Sequence, residues 1–290
     1  MSKLNRKHLF VIGQAKSGTS YLHNVLKSSE YVISGEKKEI DYFRDNSQVT
    51  YEDYLNEFIN RSYIEDKSFY LDSSPHYFTD IQKVVPAIEK IISNSYYILL
   101  LRNQYQRCYS SYLQGKRTDG GLLSDNFEMF LNSQKSYFNN TPRGGYVGWS
   151  LVAQRLRFLF NNVDSDRIFV GSFHDMVKNP SQFVQNIHHK FSFKNVRYDF
   201  NLPRYTSREL RPNMYLIAKY FDFIGMPKLL KSIRTSRFIH TLLTKPVSKK
   251  QKLDSFRMAE SCFKEIFEKD REDTLKILCQ FKDYNAFNYY

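Results

Sequence analysis

Short apolar runs alternate with helix-spaced apolar positions along the first two-thirds of the chain. The runs His8–Ile12, Tyr96–Leu101 and Arg167–Gly171 are bulky and nearly uninterrupted, which predicts strands buried on both faces. Apolar residues at helical spacing follow the first run at Thr19–Leu26 and precede the third at Leu151–Phe160. Strands that alternate with helices predict an α/β fold around a central, mainly parallel sheet, with functional sites at the carboxyl ends of its strands.

The pattern changes after about residue 203. Prolines interrupt a basic stretch from Arg204 to Lys252, and helical periodicity resumes at Phe256–Phe281. The predicted organisation is therefore one domain over residues 1–290, with an α/β core at 8–203 and a basic helical C-terminal elaboration at 204–290.

Composition narrows the classes of function. The chain is 41% hydrophobic, which excludes disorder throughout, and its net charge of +13 predicts attraction to an anion. Nucleic acid, a membrane surface and a phosphorylated or sulfated small molecule are the candidates. Residues 204–252 contain twelve basic and two acidic residues, so most of the excess charge lies in that stretch.

The three cysteines are scattered and form no CxxC pair, so neither a disulfide framework nor a zinc site is predicted, and no metal is expected. The N-terminal apolar run is too short for a signal peptide, and no run approaches the roughly 18 residues of a membrane span. These features favour a soluble protein in a reducing, intracellular compartment.

A glycine-containing loop, Gly13–Ser20, lies between the first predicted strand and helix. Backbone N–H groups and the helix dipole at such a position can hold a phosphate or sulfate. An ATP-binding P-loop reads GxxxxGK[ST]; here the glycines have that spacing, but Thr19 stands at the lysine position and Lys16 lies in the middle of the loop. A lysine there would lie beside the bridging oxygen of a diphosphate-like group. The alternative is a glycine turn before an ordinary helix.

The segment KSGTSYL resembles the loop by which sulfotransferases hold the 5′ end of PAPS, 3′-phosphoadenylyl sulfate. A second resemblance follows Tyr96–Leu101: Arg102 and Ser110 have the spacing of the arginine and serine that bind the 3′-phosphate in that family, although Gln104 replaces the usual proline. The resemblance implies a P-loop-like three-layer fold, PAPS as co-substrate and PAP as product. It implies cofactor contacts from Lys16, Ser17, Gly18, Thr19, Ser20, Arg102 and Ser110.

The segment Lys37–Phe43 resembles the Lys-Glu-x-His-Phe-Phe segment of polysaccharide sulfotransferases, including the heparan sulfate N- and 3-O-sulfotransferases. This resemblance implies that Glu39 is the general base, with Lys16 stabilising the leaving phosphate. Asp41 replaces the histidine of many relatives. Without the flanking motifs, these charges would be interpreted as a solvated loop.

The segment Leu71–Phe78 resembles the family's Glu-Lys-(Ser/Thr)-Pro-x-Tyr-Phe, but Ser73 occupies the lysine position. Lys37 or Lys38 could supply the missing charge. The resemblance therefore gives a set of acceptor-binding candidates, comprising Lys37, Lys38, Asp41, Ser73 and His76.

The last third of the chain completes the resemblance, which extends over residues 8–290. Relatives use a basic residue there for the 3′-phosphate, and among Arg204, Arg208 and Arg211 we favour Arg208 because Ser207-Arg208 resembles a Ser-Arg pair of the family. The run His174–Pro180 resembles a structural segment that follows a late strand. The lack of a Golgi-targeting segment in the sequence favours a bacterial cytoplasmic enzyme, or a chain trimmed of its anchor.

Two alternative functions are compatible with the charge and the glycine loop. A nucleotide-dependent kinase is disfavoured because Thr19 occupies the P-loop lysine position. A nucleic-acid-binding protein is disfavoured because most aromatic residues fall in apolar, core-like runs.

The Lys-Glu segment favours a carbohydrate acceptor, such as a polysaccharide, oligosaccharide or glycolipid, with O- and N-sulfation both open. The basic stretch 204–252 suits either an anionic membrane surface or a helical flap on the cofactor cleft.

Overall fold

The computed structural model describes residues 6–45, 48–58, 68–118, 126–141, 144–194, 196–202, 208–210 and 244–281. The chain divides into two compact units. The first unit comprises Met1–Asn103, Val152–Tyr205 and Lys269–Tyr290, and the second comprises Gln104–Leu151 and Thr206–Glu268. The prediction of a single domain over 1–290 stays a prediction.

The first unit contains a five-stranded sheet in the order β2-β3-β1-β4-β5 with every pairing parallel. Its strands are β1 (His8–Gly13), β2 (Val32–Ser34), β3 (Phe69–Asp72), β4 (Ser95–Leu101) and β5 (Ile168–Ser172). The three predicted strands correspond to β1, β4 and β5. The predicted α/β fold with a parallel central sheet is confirmed.

Helices precede and follow these strands. The helices of the first unit are α1 (Thr19–Lys27), α2 (Tyr42–Asp45), α3 (Tyr51–Leu55), α4 (Ile81–Ile91), α8 (Ala153–Asn162), α9 (Phe173–Lys178) and α10 (Pro180–Lys190), with 3-10 turns at Pro75–Phe78 and Ser165–Arg167. The helices predicted at Thr19–Leu26 and Leu151–Phe160 are thereby confirmed as α1 and α8, within two residues at each end.

Strand β1 shows how the sheet is covered on both faces. Phe10 and Ile12 point into a core shared with α4 and α8, whereas Leu9 and Val11 point into a core shared with α1 and α10. Side chains alternate between the faces of a strand, so a strand buried on both faces needs an uninterrupted apolar run. The result is the three-layer arrangement that the resemblance implies.

The second unit contains α5 (Gln104–Thr118), α6 (Phe127–Asn140), α7 (Gly145–Gly148) and an antiparallel pair, β6 (Arg208–Leu210) with β7 (Thr244–Pro246). Helix α11 (Lys249–Gln280) contributes its residues up to 268 and departs from helical geometry at Phe263. The core of this unit is rich in aromatic side chains, including Phe127, Phe130, Phe263 and Phe267.

Helix α11 confirms the helix predicted at Phe256–Phe281. Residues 211–243, the greater part of the basic stretch, lie outside the described residues, as do Arg204 and Arg211. In the part of the chain that the structure describes, no helix has both the length and the apolar character of a membrane span.

Candidate active site

The carboxyl ends of three neighbouring strands place three of the predicted segments at one edge of the sheet. Strand β1 ends at Gly13, β3 at Asp72 and β4 at Leu101, and β1 lies between the other two. The glycine loop, the Ser73–His76 segment and Arg102 each follow one of these ends, at the edge where parallel sheets bind ligands.

The loop after β1 has a defined backbone. The Gln14 N–H donates to the Leu100 carbonyl (2.9 Å), and the Ser17 N–H donates to the Gln14 carbonyl (3.1 Å). Lys16 (φ 71°) and Gly18 (φ 86°) both adopt the left-handed conformation. Only glycine suits the second position, because a Cβ there would collide with Met176 Cε and with the ring of Phe173.

Helix α1 begins with donors available for an anion. Gly18 is its N-cap, no side chain caps it, and its first turn holds no acidic residue. Thr19 and Ser20 open the helix, and the hydroxyl of the buried Ser17 has no hydrogen-bond partner among the described residues. The first N–H groups of a helix have no intrahelical acceptors, so this end offers both N–H and hydroxyl donors to a phosphate or sulfate.

Arg102 lies against this loop. Its Nη1 donates to the Lys16 carbonyl (2.7 Å), and its guanidinium carbon lies 4.5 Å from the ring centroid of Phe173. Burial lowers the pKa of Arg102 to about 10, so it remains charged at neutral pH, and its buried Nε has no hydrogen-bond partner in the described structure. Arg102 thus fixes the backbone of Lys16 and keeps one donor for a ligand.

The remaining cofactor-binding candidates lie in the second unit. Ser110 is buried within α5, and Arg208 is the first residue of β6, where it pairs with Pro246. Their roles toward the 3′-phosphate remain predictions.

The segment of the predicted base follows β2. Glu39 is exposed (41%) and its Oε1 lies 2.6 Å from Lys38 Nζ, while Lys37 is exposed beside this pair. Asp41 is half-buried, with a left-handed backbone (φ 53°) and an Oδ1 atom that is buried without a partner in the described residues. Burial raises the pKa of Asp41, and the neighbouring His76 opposes that rise.

Ser73 has a partner that the sequence did not reveal. The side chain is fully buried, and its Oγ lies 3.0 Å from Nδ1 of His23 on α1. Burial lowers the pKa of His23 to about 4, and the charges of Lys38 and Lys27 act in the same direction, so the imidazole is neutral at pH 7. Ser73 as an acceptor-binding residue stays a prediction.

Asp72, like His23, was not among the site residues predicted from the sequence. The carboxylate is fully buried at the end of β3 and accepts hydrogen bonds from Ser74 Oγ (2.6 Å), Tyr77 OH (3.0 Å) and Tyr54 OH (3.5 Å). Burial raises the pKa of Asp72 to about 7. Its position directly before Ser73 could have identified it, because polar residues at the carboxyl ends of parallel strands lie at the edge where ligands bind.

The edge thus has two chemical parts. Lys16, Arg102 and the open end of α1 form a cationic, donor-rich part, whereas Glu39 and Asp41 supply carboxylates. The first part can hold a phosphorylated or sulfated group, and the second can accept a proton from an incoming nucleophile.

The chain is similar to known sulfotransferases in sequence and in fold. No family model matches the chain. The membrane-associated sulfotransferase kil1 of Dictyostelium discoideum is 28% identical over 141 residues. That match covers 47% of this chain and 30% of the relative, so the chain spans under a third of that protein's length.

Solved structures resemble the described fold. A sulfotransferase from Alicyclobacillus acidocaldarius superposes with a TM-score of 0.57 at 18% identity, covering 78% of this chain and 96% of the other. A sulfotransferase domain from the curacin biosynthetic pathway gives a TM-score of 0.47 at 14% identity, covering 97% of this chain and 99% of the other. The chain has the fold of the sulfotransferases, and the resemblance to the PAPS-dependent sulfotransferase superfamily that its motifs indicate is confirmed.

Proposed function

We propose that this protein transfers the sulfuryl group of PAPS to a hydroxyl or amine of a carbohydrate acceptor, with PAP as the second product. The observation that carries the proposal is the loop Gly13–Ser20, whose left-handed residues, uncapped helix and contact with Arg102 leave donors for an anionic group. The sulfotransferase fold and the sequence relative support the same activity.

The described donors fit a nucleotide that carries several phosphate or sulfate oxygens. The unpartnered Ser17 Oγ and Arg102 Nε are buried donors of the kind that such oxygens satisfy. In the proposed site Ser17, Gly18, Thr19 and Ser20 hold the 5′-phosphate. Arg102, with Ser110 and Arg208 as the resemblance implies, holds the 3′-phosphate.

When bound, PAPS supplies a sulfuryl group attached to a phosphate that can leave. As the acceptor oxygen or nitrogen bonds to sulfur, the bond from sulfur to the phosphate oxygen breaks, and its electron pair stays on the phosphate. Lys16 neutralises the charge that grows there, from a backbone that Arg102 holds through the Lys16 carbonyl. Such catalysis consists of positioning and electrostatics, as in phosphoryl transfer.

Glu39 accepts the proton that the acceptor loses. Its ion pair with Lys38 orients the carboxylate, and its exposure keeps it accessible to a long, solvated acceptor. An exposed base therefore supports a polysaccharide, oligosaccharide or glycolipid over a small molecule enclosed in a cavity. Lys37, Lys38, Asp41, Ser73 and His76 are the proposed acceptor contacts.

The proposal extends to a peripheral contact with an anionic membrane surface. The relative in Dictyostelium is named membrane-associated, and the basic stretch 204–252 would supply the attraction. Flotation with anionic liposomes at low salt tests this part, since the absence of binding would contradict it. Location in a bacterial cytoplasm stays a prediction.

The deciding experiment measures transfer of radiolabelled sulfate from PAPS to a panel of glycans and glycolipids, with mass spectrometry of the products. Glu39→Gln should lower turnover by about 100-fold or more, the scale of one general base, and should leave PAP binding intact. Glu36→Gln is the matched control, because Glu36 is an exposed carboxylate three residues away. Equal turnover in the two variants would contradict the role of Glu39.

A further inference from the structure

Asp72 has an unusual environment for a carboxylate. It is fully buried, all three of its hydrogen bonds come from hydroxyl groups, and none of the ion pairs among the described residues includes it. A buried carboxylate without a cation is unfavourable for stability. Such a group calls for an explanation beyond packing.

Two of the three hydroxyls connect Asp72 to the segment that follows Glu39. Ser74 Oγ accepts from the Asp41 N–H (2.9 Å), and Tyr77 OH accepts from the Phe43 N–H (3.3 Å). A hydroxyl has one proton, and each of these gives its proton to Asp72. Their lone pairs are therefore directed to the two backbone N–H groups. The ionised carboxylate thus fixes the direction of both relays, that is, of the two paths from Asp72 through a hydroxyl to a backbone N–H.

The backbone held in this way is strained. Asp41 adopts a left-handed conformation, which is unfavourable for a residue other than glycine and persists only where the surroundings enforce it. Its N–H is one of the two anchored groups. The strained residue lies two positions after Glu39 and carries the Oδ1 atom that has no partner among the described residues.

We propose that Asp72 is a positioning residue for transfer: through Ser74 and Tyr77 it fixes the backbone at Asp41 and Phe43, and thereby the placement of Glu39. This inference rests on the proposed sulfuryl transfer and adds a residue to it. Asp72 touches no reactant; it acts through two hydroxyls.

The chain offers a matched control within the same network. Tyr54 also donates to Asp72 (3.5 Å), but among the described residues its hydroxyl has no hydrogen bond to the backbone at 41–43. Ser74→Ala and Tyr77→Phe each remove one of the two relays. Asp72→Asn removes the charge that directs both relays. Tyr54→Phe removes a hydroxyl that belongs to neither relay. Ser74→Thr keeps a hydroxyl and should restore most of the loss.

The experiment combines steady-state kinetics with amide hydrogen exchange at Asp41 and Phe43. Asp72→Asn, Ser74→Ala and Tyr77→Phe should lower kcat by about 10-fold to 100-fold, as misplacement of a reacting group does, with PAP affinity within about twofold of wild type. Exchange at the amide that each variant releases should accelerate. Tyr54→Phe should match wild type in both measurements.

Unchanged kcat and exchange in Asp72→Asn would overturn the proposal, and so would equal losses in Tyr54→Phe and Ser74→Ala, which would indicate general destabilisation. A wild-type protein that transfers no sulfate contradicts the proposed function instead. In that case amide exchange still decides whether Asp72 fixes the segment, so the two failures are distinct.

Discussion

The two edges of the sheet in the first unit differ in how their polar groups are satisfied. At the amino-terminal edge, Glu89 accepts hydrogen bonds from Ser95 (2.5 Å), Tyr97 (2.7 Å) and Arg167 (2.8 Å to its second oxygen). Arg167 also donates to Ser95 Oγ (2.8 Å). A carboxylate, a guanidinium and two hydroxyls thus form one network that ties α4, β4 and the start of β5.

At the carboxyl-terminal edge, Ser17 Oγ, Arg102 Nε and Asp41 Oδ1 are buried without partners among the described residues. Lys16 and Asp41, two residues with left-handed backbones, also lie there. Unsatisfied polar atoms and strain lower stability and persist where a ligand or a reaction uses them. We therefore expect the amino-terminal edge to stabilise the fold and the carboxyl-terminal edge to bind the reactants of the proposed transfer.

The difference between the two edges predicts that a substitution of Lys16 causes the largest loss of activity. Lys16→Ala should reduce sulfate transfer by about 100-fold to 1,000-fold, because the variant loses the charge that we propose stabilises the leaving phosphate. The free energy of unfolding should change little, since the strain at position 16 remains. Lys90→Ala removes an equal charge from the exposed end of α4 and should keep full activity. Similar activity losses in both variants would contradict a specific role for Lys16.

Arg102→Ala tests whether the guanidinium binds the 3′-phosphate, as proposed, in addition to its observed bond to the Lys16 carbonyl. PAP affinity should fall by about 10-fold to 100-fold, the scale of charged hydrogen bonds, and AMP affinity should fall less because AMP lacks the 3′-phosphate. Calorimetry of both nucleotides measures the difference, with Arg157→Ala on the exposed face of α8 as control. Equal losses for PAP and AMP would show that Arg102 acts only through the Lys16 carbonyl.

Arg167→Met tests the opposite edge. The variant leaves Glu89 without its cation, so the free energy of unfolding should fall by about 2 kcal/mol, as measured by denaturant titration. PAP affinity should remain at the wild-type value because Arg167 lies at the amino-terminal edge. A parallel loss of nucleotide binding would break the distinction between the edges.

His8 is the exception at the amino-terminal edge, because its buried Nδ1 has no partner among the described residues. Burial, with a smaller effect of Arg6, lowers the pKa of His8 to about 3, below its value in the unfolded chain. The unfolded state therefore binds more protons below about pH 6.5, and stability falls with decreasing pH by about 1.4 kcal/mol per pH unit from this group.

His8→Phe should remove that slope between pH 6 and pH 4, as measured by denaturant titrations across the range. His189→Gln changes an exposed histidine on α10 and should leave the slope unchanged. Identical slopes in wild type and His8→Phe would show that His8 is not held neutral by burial.

The sequence predicted those elements whose apolar pattern is long enough to be unambiguous. Strands β1, β4 and β5 and helix α1 follow directly from it. Strands β2 and β3 have three and four residues, and β3 ends in the charged Asp72, so periodicity did not separate them from loops. Asp72 is buried because three hydroxyls from distant and neighbouring positions meet it, which no local pattern shows.

The anion-binding loop could be predicted because its glycine pattern is local in the sequence, whereas its contacts with other elements could not. Glycine spacing and the position after a strand indicate an anion site, and the left-handed Gly18 agrees with that interpretation. The bond from Arg102 to the Lys16 carbonyl depends on β1 and β4 being neighbours in the sheet, and the His23–Ser73 contact depends on how α1 covers it. Such contacts arise from tertiary structure and could not be derived from motif spacing.

Calorimetric titration of the wild-type protein with PAP and, separately, with ATP and magnesium tests the central claim most directly. A donor edge built for a 3′-phosphorylated nucleotide should bind PAP at least about 10-fold more tightly than ATP, since charged hydrogen bonds to the extra phosphate each contribute roughly 1.5–3 kcal/mol. Binding of ATP with magnesium in preference to PAP would contradict the claim.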